Sequence, residues 1–193
     1  NTGNTQTSNA RVTLKATKLI IDRNVWVGLI TKADHAIGGS SYNTEIVATN
    51  NAVLTLTGNG INSSIAIINK EAGKDLKLDL PVVMKTHTAG GVANAYEQIR
   101  VLMPGTASIT FASNSTLTLN QNIRITGSFG TRRVNFNGTV TGAKDIQLDG
   151  SIAVNGASPN ANAKNTVEFG TTYDGSNHTG GITYIGDHNK IIS

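Results

Sequence analysis

The histidines and their acidic neighbours are the first residues whose types and spacing could support catalysis or metal binding. Two Asp-His pairs occur, Asp34-His35 and Asp187-His188, and Asp174 lies four residues before His178. An imidazole near a carboxylate can act as a general base, and both groups are ligands for divalent metals. Polar residues of these types are also common in turns, because their side chains hydrogen-bond to nearby backbone groups. We assign these residues, and the isolated His87, to turns.

A second candidate is an acidic segment that could belong to a polysaccharide lyase or hydrolase. Such enzymes need carboxylates on one face, either as a hydrolytic pair or as calcium ligands beside a basic residue. Asp145 and Asp149 are four residues apart, and Lys144 is adjacent to the first. Alternation places the two carboxylates on the same face only if the strand runs unbroken between them. The other acidic residues are scattered, which is typical of turns and solvated surfaces.

Known catalytic motifs are absent from the sequence. It contains no cysteine, no G-x-S-x-G nucleophile elbow, no H-E-x-x-H zinc motif and no G-x-x-x-x-G-K-[ST] phosphate loop. We therefore expect a protein that is not an enzyme, with no catalytic, cofactor-binding or metal-binding residues and no cofactor.

Threonine and tryptophan provide two further patterns that could bind a ligand. Thr-x-Thr occurs at 55–57, 86–88, 116–118 and 139–141. Regular ladders of this element can order water on a flat face, as in ice-binding proteins. The intervals here are irregular, so the ordinary preference of threonine for strands explains them. Trp26, the only tryptophan, could stack on a sugar, but its flanking valines favour a core or interface position.

The composition favours turn-rich β-structure. Charged residues make up 15% of the chain, against about 25% in an average soluble domain. Asparagine, threonine, serine and glycine take their place, and these residues suit stacked strands and tight corners. The formal net charge is +4, yet Arg132-Arg133 is the only adjacent basic pair. We therefore expect no nucleic-acid partner, and no apolar stretch is long enough for a membrane-spanning segment.

Short bursts of alternating apolar residues predict the strands. They are found at 53–56, 76–80, 109–111, 117–119, 123–125, 134–136 and 152–154. Alternation of this length is the signature of a strand with one buried face. The close, turn-separated spacing of the bursts is typical of an all-β sandwich, barrel or solenoid. Helix signals are almost missing, and we interpret residues 92–98 as a loop or a single helical turn.

The domain organisation follows from the same pattern. Strands are shorter and more regular in residues 105–193 than in residues 1–104, but no shift in composition marks a boundary. We predict a single all-β domain over residues 1–193. The chain opens with NTGNTQTSN rather than with methionine, which we interpret as a processed chain or a fragment of a longer surface protein.

Residues 105–193 carry imperfect repeats. The clearest segments are GTVTGAKDIQLDG at 138–150 and NHTGGITYIG at 177–186. They resemble the passenger-domain repeats of bacterial autotransporters, which run as a G-x-G turn, an L-T-L-like strand and an N-T-Y-T-G-G-T-T element. The sequence departs from that pattern at His178, which replaces the usual Thr-Tyr pair, and in the spacing between repeats.

The resemblance implies a single-stranded right-handed parallel β-helix, in which each coil covers the apolar face of its neighbour. It also implies an adhesin-like protein located outside the cell or at the bacterial cell surface. A β-sandwich of many short strands is the alternative fold.

Two non-catalytic functions remain, and the polysaccharide lyase or hydrolase is a third alternative. In the first, the β-scaffold presents loops 32–44, 85–96 and 156–166 for attachment to host or neighbour cells. In the second, the chain binds itself as the subunit of an extracellular filament or matrix fibre. The polar segment Asn1–Asn9, which precedes Val12-Thr13-Leu14, would then donate a strand to the next subunit.

Overall fold

The computed structural model describes residues 12–28, 37–38, 42–58, 65–69, 73–86, 96–102, 107–128, 132–149, 165–186 and 189–193. Within these ranges every regular element is a β-strand, and none is a helix. This part of the chain accordingly holds no helix able to cross a membrane. The all-β class predicted from the sequence is confirmed.

The described strands form three sheets, and each strand pairs in parallel with the strand three places further along the chain. Sheet A contains β1 (Val12–Thr13), β4 (Ile37–Gly38), β7 (Ile65–Asn69), β10 (Tyr96–Leu102), β13 (Asn122–Ser128), β16 (Ile146–Asp149) and β19 (Ile182–Ile185). Sheet B contains β2 (Lys18–Ile21), β5 (Thr44–Ala48), β8 (Asp75–Asp79), β11 (Ser108–Phe111), β14 (Arg132–Phe136), β17 (Asn165–Phe169) and β20 (Asn189–Ile192). Sheet C contains β3 (Val25–Gly28), β6 (Leu54–Gly58), β9 (Pro81–Thr86), β12 (Thr116–Leu119), β15 (Thr139–Gly142) and β18 (Asp174–His178).

Six of the seven alternating bursts coincide with strands, namely β6, β8, β11, β12, β13 and β14. The seventh, at 152–154, lies outside the described residues. The interpretation of residues 92–98 as a loop or helical turn is wrong for Tyr96, Glu97 and Gln98, which open strand β10. Strand β10 is paired with β7 on one side and β13 on the other. Two ladders of backbone hydrogen bonds outweigh a weak local preference for helix.

The core consists of rows of apolar side chains that repeat from strand to strand. In sheet B one inward row runs through Leu76, Ile109, Val134 and Val167, all fully buried. In sheet C a comparable row joins Leu54, Val82, Leu117 and Val140. Each side chain of this size contributes about 1.5–3 kcal/mol when it leaves water. Stacking of apolar side chains on apolar side chains therefore stabilises the packing of successive strands.

Asparagine side chains form hydrogen bonds at the corners between sheets. The Oδ1 atom of Asn24 accepts a hydrogen bond from the backbone N–H of Val53 at 2.9 Å, 29 residues away. Asn43 accepts in the same way from Asp75, and Asn122 from Asp145, each at 2.9 Å. Each bond satisfies a backbone donor at the first residue of a strand or just before it. This use explains part of the high asparagine content.

Candidate functional site

The assignment of Asp174 and His178 to a turn is wrong, because they are the first and last residues of strand β18. Both side chains are engaged with nearby backbone groups. The Nε2 atom of His178 is hydrogen-bonded to the carbonyl oxygen of Lys144 at 2.8 Å. Oδ1 of Asp174 accepts from the backbone N–H of Ser176 at 2.9 Å, and that bond is the main reason why the pKa of Asp174 is lowered. Among the described residues, no three His, Asp or Glu side chains are grouped to hold a metal ion. The other candidates, Asp34, His35, His87, Asp187 and His188, lie outside the described ranges.

The two carboxylates considered for polysaccharide chemistry have separate structural partners. Asp145 precedes strand β16, and its Oδ1 atom accepts from the backbone N–H of Gly181 at 2.8 Å. Asp145 therefore takes the same corner position at β16 that Asn122 takes at β13, the neighbouring strand in sheet A. Asp149 ends β16, and its Oδ2 atom lies 3.8 Å from Nη1 of Arg124. The structure gives these two side chains different neighbours.

Threonine side chains occupy part of the outer face of sheet C. The stretches at 55–57, 116–118 and 139–141 lie in β6, β12 and β15, and Thr86 ends β9. Thr118 and Thr141 are paired in register, and the hydroxyl of Thr141 donates to that of Thr118 at 3.2 Å. On the other side of Thr118 the row continues with Val83. The threonines thus form a short ladder that an apolar residue interrupts.

Trp26 lies on the outer face of sheet C, where 61% of its surface is exposed. The expected core position is wrong, because alternation along β3 places Val25 and Val27 on the inner side and Trp26 between them on the outer side. The ammonium group of Lys85 sits 4.8 Å from the centroid of the indole ring. An interface role for Trp26 stays a prediction.

A groove of about 350 Å³ lies where the outer face of sheet B meets the turns that lead into sheet C. We call it the sheet B groove; it is lined by Lys77, Thr110, Ala112, Ser113, Asn137 and the Thr171-Thr172 pair. Lys77 and Thr110 are neighbours in register on β8 and β11. The other lining residues lie within three residues after the ends of β11, β14 and β17.

Backbone hydrogen bonds that continue beyond the strand ends hold the groove in shape. The N–H of Ala112 donates to Leu78 at 2.9 Å, and the N–H of Asn137 donates to Phe111 at 2.8 Å. Because the side chain of Ala112 is a single methyl group, it leaves a depression beside the longer Asn137. The hydroxyl of Thr172 donates to the carbonyl oxygen of Asn137 at 2.6 Å, which fixes one wall of the groove.

The charge of the lysine in the groove is compensated by two carboxylates. Nζ of Lys77 donates to Oε1 of Glu45 at 2.8 Å and lies 3.8 Å from Oδ2 of Asp79. The hydrogen bond between Lys77 and Glu45 is the main reason why the pKa of Glu45 is lowered and that of Lys77 is raised. Lys18 adds a second cation 3.5 Å from the other oxygen of Glu45.

Two buried side-chain oxygens of sheet B have no hydrogen-bond partner among the described residues. They are the Oδ1 atoms of Asp79 and Asn135. Asp79 follows Lys77 by two positions on β8, and Asn135 is paired in register with Thr110. The amide nitrogen of Asn135 donates to the hydroxyl of Thr110 at 2.9 Å. An unpaired buried acceptor costs about 1–3 kcal/mol, so both atoms gain from a donor.

Sequence reasoning missed the sheet B groove because its lining residues come from separate strands that only the three-strand repeat brings together. The available signals were a small residue after a strand, Ala112, and the polar pair Thr171-Thr172 after another. The loops proposed for recognition lie largely outside the described residues. The loop prediction is wrong where they are described: Ile37–Gly38 form strand β4, residues 85–86 end β9 and residues 165–166 begin β17.

Comparison with known proteins identifies no relative of this chain. No family model, curated protein or solved structure matches the chain. Conclusions about function therefore rest on its own residues and geometry.

Proposed function

We propose that this chain is a non-catalytic structural or adhesion protein of the bacterial cell surface or extracellular space, built as a single-stranded right-handed parallel β-helix. One observation carries the proposal: each strand pairs in parallel with the third strand along in all three sheets. A chain that visits three sheets in turn and then stacks on itself has the organisation of a solenoid. Parallel pairing also argues against the sandwich alternative, whose sheets are antiparallel.

Such a scaffold suits attachment because it separates stability from recognition. The inward rows supply cohesion, whereas the outer faces and turns are free to vary. The repeat-like segments at 138–150 and 177–186 fall on strands β15, β16, β18 and β19, which supports a repeat origin for these coils. The described acid–base candidates, such as His178 and Asp145, are held by structural hydrogen bonds, which supports a non-catalytic role.

A bead-attachment assay tests the proposal. Microspheres coated with the full chain are incubated with epithelial monolayers and with bacterial lawns, and microspheres coated with serum albumin serve as the control. We expect retention of the coated beads several-fold above the control on at least one surface. Retention equal to the control on both surfaces, or calcium-dependent cleavage of an acidic polysaccharide by the same preparation, would contradict the proposal.

A filament subunit is the second candidate function, and apolar side chains exposed on strand β19 favour it. Tyr184 continues the inward row of Leu148 in sheet A, yet 57% of its surface is exposed. Ile182 continues the row of Ile146 and is also exposed. Open strand edges with apolar side chains pair readily with another chain. The proposed donor segment, Asn1–Asn9, lies outside the described residues.

A further inference from the structure

We propose that the outer face of sheet C binds an acidic saccharide. Its sugar ring packs on the indole of Trp26, and its carboxylate or sulfate group pairs with the ammonium group of Lys85. The inference rests on the proposed attachment function and deepens it by naming a site and a ligand class. It starts from two groups that lie together on this face: an indole with 61% of its surface exposed, and an ammonium group 4.8 Å from the centroid of that ring.

Three neighbouring strands of sheet C position the two groups. Trp26 on β3 is paired in register with Thr55 on β6, and Thr55 is paired with Val83 on β9. Met84 is fully buried, so alternation along β9 puts Val83 and Lys85 on the outer face. Because neighbouring strands lie about 4.8 Å apart, the stem of Lys85 extends across β6 to bring its ammonium group to the indole. An aromatic ring and a cation thus meet on one outer sheet face.

The exposed indole offers a flat apolar surface to a sugar ring. One face of a pyranose carries C–H groups that pack on an aromatic ring, while its hydroxyls at the rim remain available for hydrogen bonds. The hydroxyl of Thr55, the neighbour of Trp26 in register, can donate to such a group and accept from it. Val83, next in the row, adds apolar surface.

The charge of Lys85 favours an acidic ligand. Arg23, three residues before Trp26, is neutralised by Asp22 at 2.9 Å. Lys85 forms no ion pair with any carboxylate that the structure describes, and its ammonium group lies over the indole instead. A neutral sugar that packs on the ring must displace this group without compensation. An acidic sugar also displaces it, but its anionic oxygens then accept charge-assisted hydrogen bonds from the same group.

One aromatic ring beside one cation suits a saccharide better than a nucleic acid. A nucleic acid is bound through several phosphate contacts and through successive bases that stack on aromatic side chains. Beyond Trp26, Thr55 and Val83, the outward row of sheet C continues with Thr118 and Thr141. These residues are neither aromatic nor charged, so they extend neither kind of contact along the face.

Fluorescence titration tests the site directly, because Trp26 is the only tryptophan of the chain. The acidic probes are tetragalacturonate and sialyllactose, which carry carboxylates, and a keratan sulfate tetrasaccharide, which carries sulfate without carboxylate. Their neutral counterparts are the galactose tetramer, lactose and the desulfated tetrasaccharide. A short oligothymidylate represents nucleic acid.

Three variants separate the ring from the cation. Lys85→Ala removes the cation, and Lys190→Ala, at an exposed position of β20 in sheet B, is the matched control. Trp26→Ala removes the ring, and isothermal titration calorimetry follows binding to this variant. Circular dichroism confirms that each variant is folded.

We expect at least one acidic saccharide to change the emission of Trp26 and to bind at least tenfold more tightly than its neutral counterpart. Lys85→Ala should lower the affinity for that saccharide at least fivefold and reduce its preference over the neutral counterpart to within twofold. Trp26→Ala should also lower the affinity at least fivefold, whereas Lys190→Ala should stay within twofold of the parent.

Absence of binding to every acidic saccharide, tighter binding of the neutral counterparts or of oligothymidylate, or equal loss in Lys85→Ala and Lys190→Ala would overturn the inference. Beads that adhere to cells while no acidic saccharide binds would reject this site and leave the attachment function standing. Beads that fail to adhere while an acidic saccharide binds, with the expected loss in Lys85→Ala, would support the site and reject attachment.

Discussion

The ring of Phe111 stacks on the ring of Phe136, with centroids 5.2 Å apart and planes 8° from parallel. Phe136 stacks in turn on Phe169 at 5.6 Å. The three rings occupy one inward row of sheet B, on strands β11, β14 and β17. Phe136 thus has an aromatic neighbour on each side and joins three successive strands.

Replacement of the middle ring should weaken the whole stack. We expect Phe136→Ala to lower the free energy of unfolding by about 3–5 kcal/mol, because a fully buried ring leaves a cavity between its two neighbours. Urea denaturation followed by circular dichroism measures the change. Tyr42→Ala, at an exposed position, is the control and should change stability by less than about 0.5 kcal/mol. A loss below about 1 kcal/mol for Phe136→Ala would contradict the stacked core.

Gly142, the last residue of β15, cannot carry a side chain without strain. Its φ angle is +107°, and an added Cβ atom would lie 2.4 Å from the carbonyl oxygen of Leu119. We expect Gly142→Ala to destabilise the protein by about 1–3 kcal/mol or more, from backbone strain and this clash. Gly181→Ala is a matched control, since its nearest contact would be an ordinary 3.5 Å to Asp145. Equal unfolding midpoints for the two variants would contradict the positive φ angle of Gly142 and its close approach to Leu119.

The sequence predicted the strands well but their arrangement less fully. Alternating residues such as Leu76 and Leu78 identify a strand and its buried face, because the side-chain period of two is local. The order of strands in a sheet depends on contacts such as Ile109 with Val134, which no local pattern encodes. For Trp26 the flanking valines suggested a core or interface position, and the core position is wrong because strict alternation along β3 places the indole on the outer face. The sheet B groove could not be predicted, because Lys77, Thr110 and Thr171 come together only after the strands stack.

The ion pair between Glu45 and Lys77 should make stability depend on acid pH. Since the folded-state pKa of Glu45 lies below its ordinary value of 4.5, its contribution is fully present above about pH 4.5 and is lost as the pH falls through the lowered pKa. The effect should stay within about 0.2–1 kcal/mol, because both side chains are partly exposed. Urea denaturation between pH 2 and pH 7 measures it.

The variant Glu45→Gln removes the titrating group from this pair. We expect its free energy of unfolding to fall less steeply below pH 4.5 than that of the parent, and Lys77→Met to produce the same flattening from the other partner. A parent and a Glu45→Gln variant with parallel profiles would show that the 2.8 Å contact contributes nothing to the acid transition.

The exposure of Trp26 can be read directly from fluorescence, because it is the only tryptophan. We expect a red-shifted emission close to that of free tryptophan and efficient quenching by acrylamide, since the indole is open to solvent on the outer face of sheet C. Lys85→Ala should increase quenching further, because the ammonium group lies over the ring at 4.8 Å. A blue-shifted spectrum that acrylamide does not quench would restore the core position that the valines suggested.

The filament alternative predicts that association depends on the inward side of strand β19. Leu148 is paired in register with Tyr184, so Tyr184 extends the inward row of Leu148. A further strand that paired with β19 would continue the core from Tyr184. We expect Tyr184→Lys to abolish concentration-dependent association, measured by sedimentation velocity and negative-stain microscopy. The neighbouring Thr183→Lys should leave it intact, because alternation puts that side chain on the outer face. A parent chain that remains monomeric at every concentration, or equal loss of assembly in the two variants, would rule out end-to-end stacking through this strand.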